Sequence, residues 1–166
     1  MLLMAGYYTE VKNKALNWQI VSNSSEVTET IGQKLGSRLR GGEVIELVSD
    51  LGGGKTTFVR GIARGLGSQD AVASPTFTIS RQYRSGELTL YHFDFYRLGE
   101  PGIVAAELVE VIGDPKAIVV IEWGEIVENI LPVNRLTVTF RSTGEAIRQL
   151  IFEYPSKLNY LVSKEV

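Results

Sequence analysis

The 166-residue chain has no cysteine and a single histidine, His92. The first absence removes disulfides, thiolate nucleophiles and cysteine-ligated zinc, and it fits a reducing compartment. The second removes any multi-histidine metal site. An excess of positive charge is also missing: 17 Lys and Arg stand against 19 Asp and Glu, so no global basic field is available to hold nucleic acid. No apolar run approaches the length of a membrane span. The opening MLLMAGYYTEVKNKAL has neither a basic n-region nor a long apolar h-region, so it reads poorly as a secretory signal. The expected setting is cytoplasmic, with no membrane attachment. Chain length allows one domain with a proper core. Residues 18–155 are assigned to it, 1–17 to an N-terminal extension without a role, and 156–166 to a C-terminal tail expected to fray.

What is present alternates between two periodicities. WQIV (18–21) reads as a short strand. Ser24-Ser25-Glu26 then signals a helix start, with Val27, Ile31, Leu35 and Leu39 four apart on one face and Gly41-Gly42 as the stop. EVIELV (43–48) and AIVVI (117–121) have the apolar, β-branched character of buried strands. Phe58, Ile62 and Leu66 form a helical stripe ending at Gly67. Strands are predicted over 76–83 and 88–96 around the turn RSGE, a helix over 103–112, and a final hairpin around Ser142-Thr143-Gly144. Helices alternating with buried strands predict an α/β domain of three layers, a central mixed β-sheet flanked by helices.

Between the first buried strand and the Phe58 helix stands Ser49-Asp50-Leu51-Gly52-Gly53-Gly54-Lys55-Thr56. This matches seven of the eight positions of the phosphate-binding pattern G-x-x-x-x-G-K-[ST], in the strand–loop–helix context it requires, and makes the domain P-loop NTPase-like. Gly52, Gly53 and Gly54 let the backbone wrap its N–H groups round phosphates, and the following helix points its positive end at them. Lys55 supplies a cation for the β- and γ-phosphates, and the Thr56 hydroxyl can ligate Mg²⁺. The departure is Ser49, where the pattern opens with glycine. It removes no donor and no charge, so Ser49→Gly is expected to change ATP affinity little, unless the position needs a positive φ.

Glu122 directly follows the apolar run Ile118–Ile121. At the carboxyl end of a parallel strand it shares an edge with the phosphate loop, where it can hold Mg²⁺ directly or through water. In LYHFDFYRL (90–98), strand alternation puts Tyr91, Phe93 and Phe95 on one face and His92, Asp94 and Tyr96 on the other. The aromatic face suits a core. The polar face could line a site, with Asp94 orienting water or Mg²⁺ and Arg97 nearby, or Asp94 could be a plain satisfied strand residue. His92 alone reads more readily as structural than as catalytic. Ser74-Pro75-Thr76 could reach a γ-phosphate as a switch-like loop, although proline opening an extended segment explains the same letters.

Together SDLGGGKTTF, SPTFT, YHFDFYRL and VVIEWGE, in this order and spacing, resemble the bacterial TsaE (YjeE) P-loop ATPases over roughly residues 18–140. The resemblance implies ATP and Mg²⁺ as cofactors, with Gly52 through Thr57 on the phosphates. Thr56 and Glu122 would be metal residues, Trp123 would belong to the same motif as Glu122, and Thr76 would sit in the switch-like loop. Asp94 would be tied to nucleotide turnover, making Asp94, Lys55 and Glu122 the catalytic set. Ser22 to Thr28, with Glu26 as its candidate contact, would lie beside the base. Function and partners follow from the same resemblance: an ATPase subunit for threonylcarbamoylation of tRNA adenosine 37, working with the TsaD transferase and its paralogue TsaB. Contact with tRNA would then be indirect or weak, with Arg81, Tyr83, Arg84 and Arg97 as candidates unless they are simply an exposed strand face. Two other functions use the same loop: a small-molecule P-loop kinase, and a non-catalytic adaptor that binds nucleotide only to dock. The chain shows no arginine-rich insertion to serve as a kinase lid.

Overall fold

The computed structural model describes residues 15–50 and 52–162. In its first half the elements are β1 (Leu16–Ser22), α1 (Ser25–Gly36), β2 (Val44–Val48), α2 (Lys55–Leu66), β3 (Ser80–Ser85) and β4 (Leu88–Asp94). The second half adds α3 (Gly102–Ile112), β5 (Ala117–Glu122), β6 (Leu136–Ser142) and β7 (Arg148–Tyr154), with single 3₁₀ turns at Gly124–Val127 and Ser156–Leu161.

Every residue of β5 is buried, as befits a strand covered on both faces. It lies in the parallel centre of a seven-stranded sheet ordered β1-β7-β6-β2-β5-β4-β3. The β6-β2-β5-β4 strands pair in parallel, and antiparallel strands extend both edges. α1 and α2 cover one face and α3 the other, so the architecture is the three-layer α/β domain with a mixed sheet that the pattern predicts.

Strand parity divides the core in two. Ile118 and Val120 join the cluster built on Phe58, Val59 and Ile62 of α2, while Val119 and Ile121 join Leu108 and Val111 of α3. Glu122 has the parity of Ile118, and His92 and Asp94 have that of Leu90, which is also on the α2 side. Parity therefore turns all three polar groups toward the helix that starts at Lys55.

α1 and α2 approach backbone to backbone. A Cβ added at Gly32 or Gly36 would collide with the carbonyls of Phe58 or Ile62, and one at Gly61 or Gly65 with those of Glu29 or Gln33. Four glycines, paired four apart on each helix, set this close approach. It fixes the position of α2, whose first residue is the motif lysine.

Several boundaries differ from expectation, among them the end of β4 at Asp94 where the strand is expected to reach 96. The strand predicted from residue 76 begins at Ser80, because Thr78 and Ile79 both donate backbone N–H bonds to Pro75 O (2.8 and 2.6 Å) and close a turn. α1 ends at Gly36, although Leu39 beyond it still packs in the core. Of the tail expected to fray from Ser156, residues 156–161 instead form the 3₁₀ turn, with Leu158, Leu161 and Val162 buried in the larger cluster, and 163–166 lie outside the described residues. Apolar residues three apart meet one face of a 3₁₀ turn, and the Tyr160 hydroxyl anchors that turn by donating to Glu43 Oε1 at 2.7 Å. Of the proposed N-terminal extension, residues 1–14 lie outside the described residues, and Leu16–Asn17 already belong to β1.

Candidate nucleotide site

The loop after β2 is shaped by two left-handed glycines, Gly52 (φ 77°) and Gly54 (φ 96°). A side chain at either would be strained, so the motif's glycines are needed here for conformation. Gly54 caps α2 without a side-chain hydrogen bond, and the first turn holds no acidic residue. The N-terminal N–H groups of α2 are thus left for an anion.

Above that helix end lies a cavity of about 280 Å³. Gly52, Gly53, Gly54, Lys55, Thr56 and Thr57 line it from the loop side. Ser74, Thr76, Asp94, Tyr96, Glu122 and Trp123 line it from the sheet edge. The residues expected on the nucleotide and metal, Glu26 excepted, are brought together here, and Arg97 is not among them.

Lys55 is almost buried, at 6% exposure. Its Nζ donates to Ser49 Oγ (2.8 Å) and Ser49 O (3.4 Å), stands 3.9 Å from Glu122 Oε2, and lies 4.7 Å from the Trp123 ring centroid. Desolvation by burial holds its pKa below the ordinary lysine value, with the nearby charge of Glu122 and then Asp94 opposing the shift. A cation held dry in this way is poised to gain from an anionic ligand.

Glu122 is fixed from behind. His92, fully buried on β4, meets Glu122 Oε1 through Nε2 at 2.8 Å. The contact joins the two side chains across adjacent strands, while Nδ1 has no partner among the described residues. The structural role read for His92 is therefore specific: it orients a site carboxylate. Asp94 pairs with Glu122 in the β4–β5 register. Its Oδ1 accepts from Tyr96 N (2.9 Å) and its Oδ2 from the Thr76 hydroxyl (2.6 Å), which in turn lies 2.6 Å from Ser74 Oγ. The Ser74–Thr76 loop is thereby tied to Asp94.

Two carboxylates and the Thr56 hydroxyl fit Mg²⁺, which takes one or two carboxylates and completes its shell with water and phosphate oxygens. Among the described residues no group of three His, Cys, Asp or Glu could hold a metal by itself. The donor set thus suits a metal that arrives with phosphate.

Several expectations need correction. Glu26 lies in the first turn of α1, exposed and outside the cavity; its carboxyl is held below the usual value by its own backbone N–H and by Ser24. Ser24, Ser25 and Thr28 instead line an adjoining hollow of about 270 Å³, which Gly52, Gly54 and Thr57 share with the first. Glu145 and Arg148 of the β6–β7 hairpin close its far side, and no local sequence signal marks them. Arg97 does not line the cavity, and its guanidinium stacks over the Phe77 ring at 4.3 Å. Tyr83 is no RNA contact: it is buried and donates to Ala73 O at 2.9 Å. Ser49 carries no positive-φ strain, since Ile79 and Trp123 are the non-glycine residues with positive φ among those described.

The family model described as threonylcarbamoyl adenosine biosynthesis protein TsaE matches residues 22–150. The tRNA threonylcarbamoyladenosine biosynthesis protein TsaE of Bacillus subtilis is 35% identical over 139 residues, covering 84% of this chain and 85% of that protein. The Treponema pallidum protein of the same name is 41% identical over 134 residues, 78% and 96% of the two chains. The crystal structure of Bacillus subtilis YdiB superposes with a TM-score of 0.67 at 33% identity, over 87% of this chain and 88% of that one. Among the described residues no helix is long and apolar enough to cross a membrane.

Proposed function

The chain belongs to the TsaE family, and from that premise we propose that it is a Mg²⁺-dependent ATPase serving threonylcarbamoyladenosine biosynthesis in tRNA. The observation that carries this reading is the convergence on one cavity of an open helix N-terminus, a desolvated lysine and two carboxylates from adjacent strands.

In this reading the backbone N–H groups of Gly52–Thr57 and the Lys55 ammonium bind the phosphates. The adjoining hollow beside Ser24 and Thr28 takes the nucleoside. Thr56 and Glu122 would hold Mg²⁺, with His92 keeping Glu122 in place. Bound there, the metal would neutralise charge on the phosphate oxygens. Asp94 Oδ2 orients the attacking water and takes its proton, once the Thr76 hydroxyl leaves it to follow the γ-phosphate. Trp123 and Tyr96, with rings 4.9 Å apart, form part of the cavity wall.

The protein works in the cytoplasm with TsaD and TsaB, and its hydrolysis of ATP resets or drives that complex. A net charge of −2 suits a subunit that meets proteins more than tRNA. The test is phosphate release from Mg·ATP by the purified protein, alone and with its cognate TsaB and TsaD, alongside Asp94→Ala. The expected result is stimulation by the partners, with a variant that binds ATP but turns over poorly. Normal hydrolysis by Asp94→Ala would remove Asp94 from the chemistry, and a phosphorylated metabolite in place of free phosphate would point to a kinase.

A further inference from the structure

Ser49 departs from the motif, and the reading above gives it no task. Yet its hydroxyl is the nearest partner of the motif lysine. Lys55 Nζ donates to Ser49 Oγ at 2.8 Å, the Ser49 hydroxyl in turn donates a hydrogen bond to Asp50 O at 2.8 Å, and the Ser49 carbonyl accepts a longer bond from Nζ at 3.4 Å. The side chain also fills the space beneath Gly53, where an added Cβ would collide with it. The hydroxyl is therefore held in place by neighbours on several sides.

An ammonium group has three donors and no acceptor. In this structure two of them go to Ser49, which leaves one. A diphosphate needs only that one, so Lys55 can bind it and keep both Ser49 oxygens. A triphosphate bridged at its β- and γ-oxygens needs two. One bond must then be given up, and a glycine at position 49 would leave no hydroxyl to lose.

We propose that Ser49 is a specificity-determining residue of this loop: its hydroxyl competes with the γ-phosphate for Lys55 and shifts preference from the nucleoside triphosphate toward the diphosphate. The inference rests on the nucleotide-binding reading of the site. It departs from the expectation that Ser49→Gly changes ATP affinity little, and expects little change for the diphosphate alone. Its consequence is a slower exchange of product for substrate, which suits a protein whose cycle a partner controls.

The test is calorimetric titration of the full chain, Ser49→Ala and Ser49→Gly with ADP and with the β,γ-imido analogue of ATP, each with Mg²⁺, and with thermal melting as the folding control. Both variants should bind the triphosphate analogue about tenfold more tightly, the worth of one net hydrogen bond to a charged group. Affinity for ADP should stay within about twofold. Ser49→Ala keeps the Cβ beneath Gly53, so agreement between the two variants assigns the effect to the hydroxyl. An unchanged ratio of the two affinities in Ser49→Ala overturns the proposal and leaves the nucleotide site standing. Failure of the parent protein to bind either nucleotide overturns the ATPase reading itself, and this inference with it.

Discussion

Lys55→Met keeps most of the side chain's length and apolar volume while deleting its charge, and its effect can be worked from the site. Two losses combine. The lysine's charge-assisted bond to a phosphate is worth about 2 kcal/mol net. The second loss is its screening of Glu122, whose Oε2 stands 3.9 Å from Nζ. At that separation the pair interacts by about 4 kcal/mol at an effective dielectric of about 20. Without the cation, phosphates must enter beside two carboxylates, Asp94 and Glu122, each only 4% exposed. If a quarter of the screening is lost in practice, the total is about 3 kcal/mol, a Kd more than a hundredfold weaker. Calorimetric titration with Mg·ADP measures this directly, and a melting curve checks that the variant is folded. A folded Lys55→Met that binds ADP within tenfold of the parent would refute the placement of the phosphates against Lys55.

Other consequences follow from packing and charge. Gly61→Ala drives a methyl group into the backbone of α1, where it meets Gln33 N at 2.9 Å and the Glu29 carbonyl closer still. Backbone cannot rotate aside, so overpacking outweighs the gain in helix propensity, with a net loss of about 2 kcal/mol. That is a fall of roughly 4–8 °C in melting temperature, and a variant melting at or above the parent would show that α1 and α2 can separate freely. At Ile79, φ 67° reverses the usual order of small residues. Ile79→Gly should be more stable than Ile79→Ala by about 1 kcal/mol in urea unfolding, and the opposite order would mean that the strain is absent in solution. Burial and the bond to Glu43 push the Tyr160 hydroxyl up to about 12. The folded state then keeps this proton after the unfolded chain has lost it, so the stabilisation is complete below about pH 10 and falls away between about pH 10 and 12. Tyr160→Phe should flatten that decline, and an identical slope in parent and variant would rule the tyrosine out as its source.

What the sequence made legible was whatever is written in consecutive residues. The loop SDLGGGKT, the apolar run ending in Glu122 and the alternation that separates Phe93 from Asp94 are local strings, and parity alone sends both carboxylates to the α2 face. Glu26 was misplaced because a motif can locate the first turn of a helix without fixing its rotation, and Ser24 and Thr28, not Glu26, face the hollow. The pairing of His92 with Glu122 joins strands thirty residues apart and depends on register. The hairpin residues Glu145 and Arg148 reach the loop only through the β6–β7 register. Gly32, Gly36, Gly61 and Gly65 were readable in principle: glycines four apart on two successive helices are unfavourable for each helix alone. A close approach is the physical reason to keep them.

The two strained residues make the same point from the other direction. Ile79 and Trp123 are the non-glycine residues with positive φ among those described, and both adjoin the site carboxylates. Ile79 O accepts the backbone N–H of Asp94 at 2.9 Å, and Trp123 directly follows Glu122. For a β-branched residue and for a bulky aromatic such a conformation costs of order 1–3 kcal/mol, which secondary-structure propensity gives no reason to spend. The geometry shows what it obtains. The turn at Ile79 ends the loop that carries Thr76 to Asp94 Oδ2, and the turn at Trp123 brings its ring over the Lys55 ammonium. Thr76 and Trp123 both line the cavity opposite Gly52–Thr57. Local rules fail here at the residues that hold Thr76 and Lys55 to their partners, so the strain marks the same site that the loop motif marks from the other side.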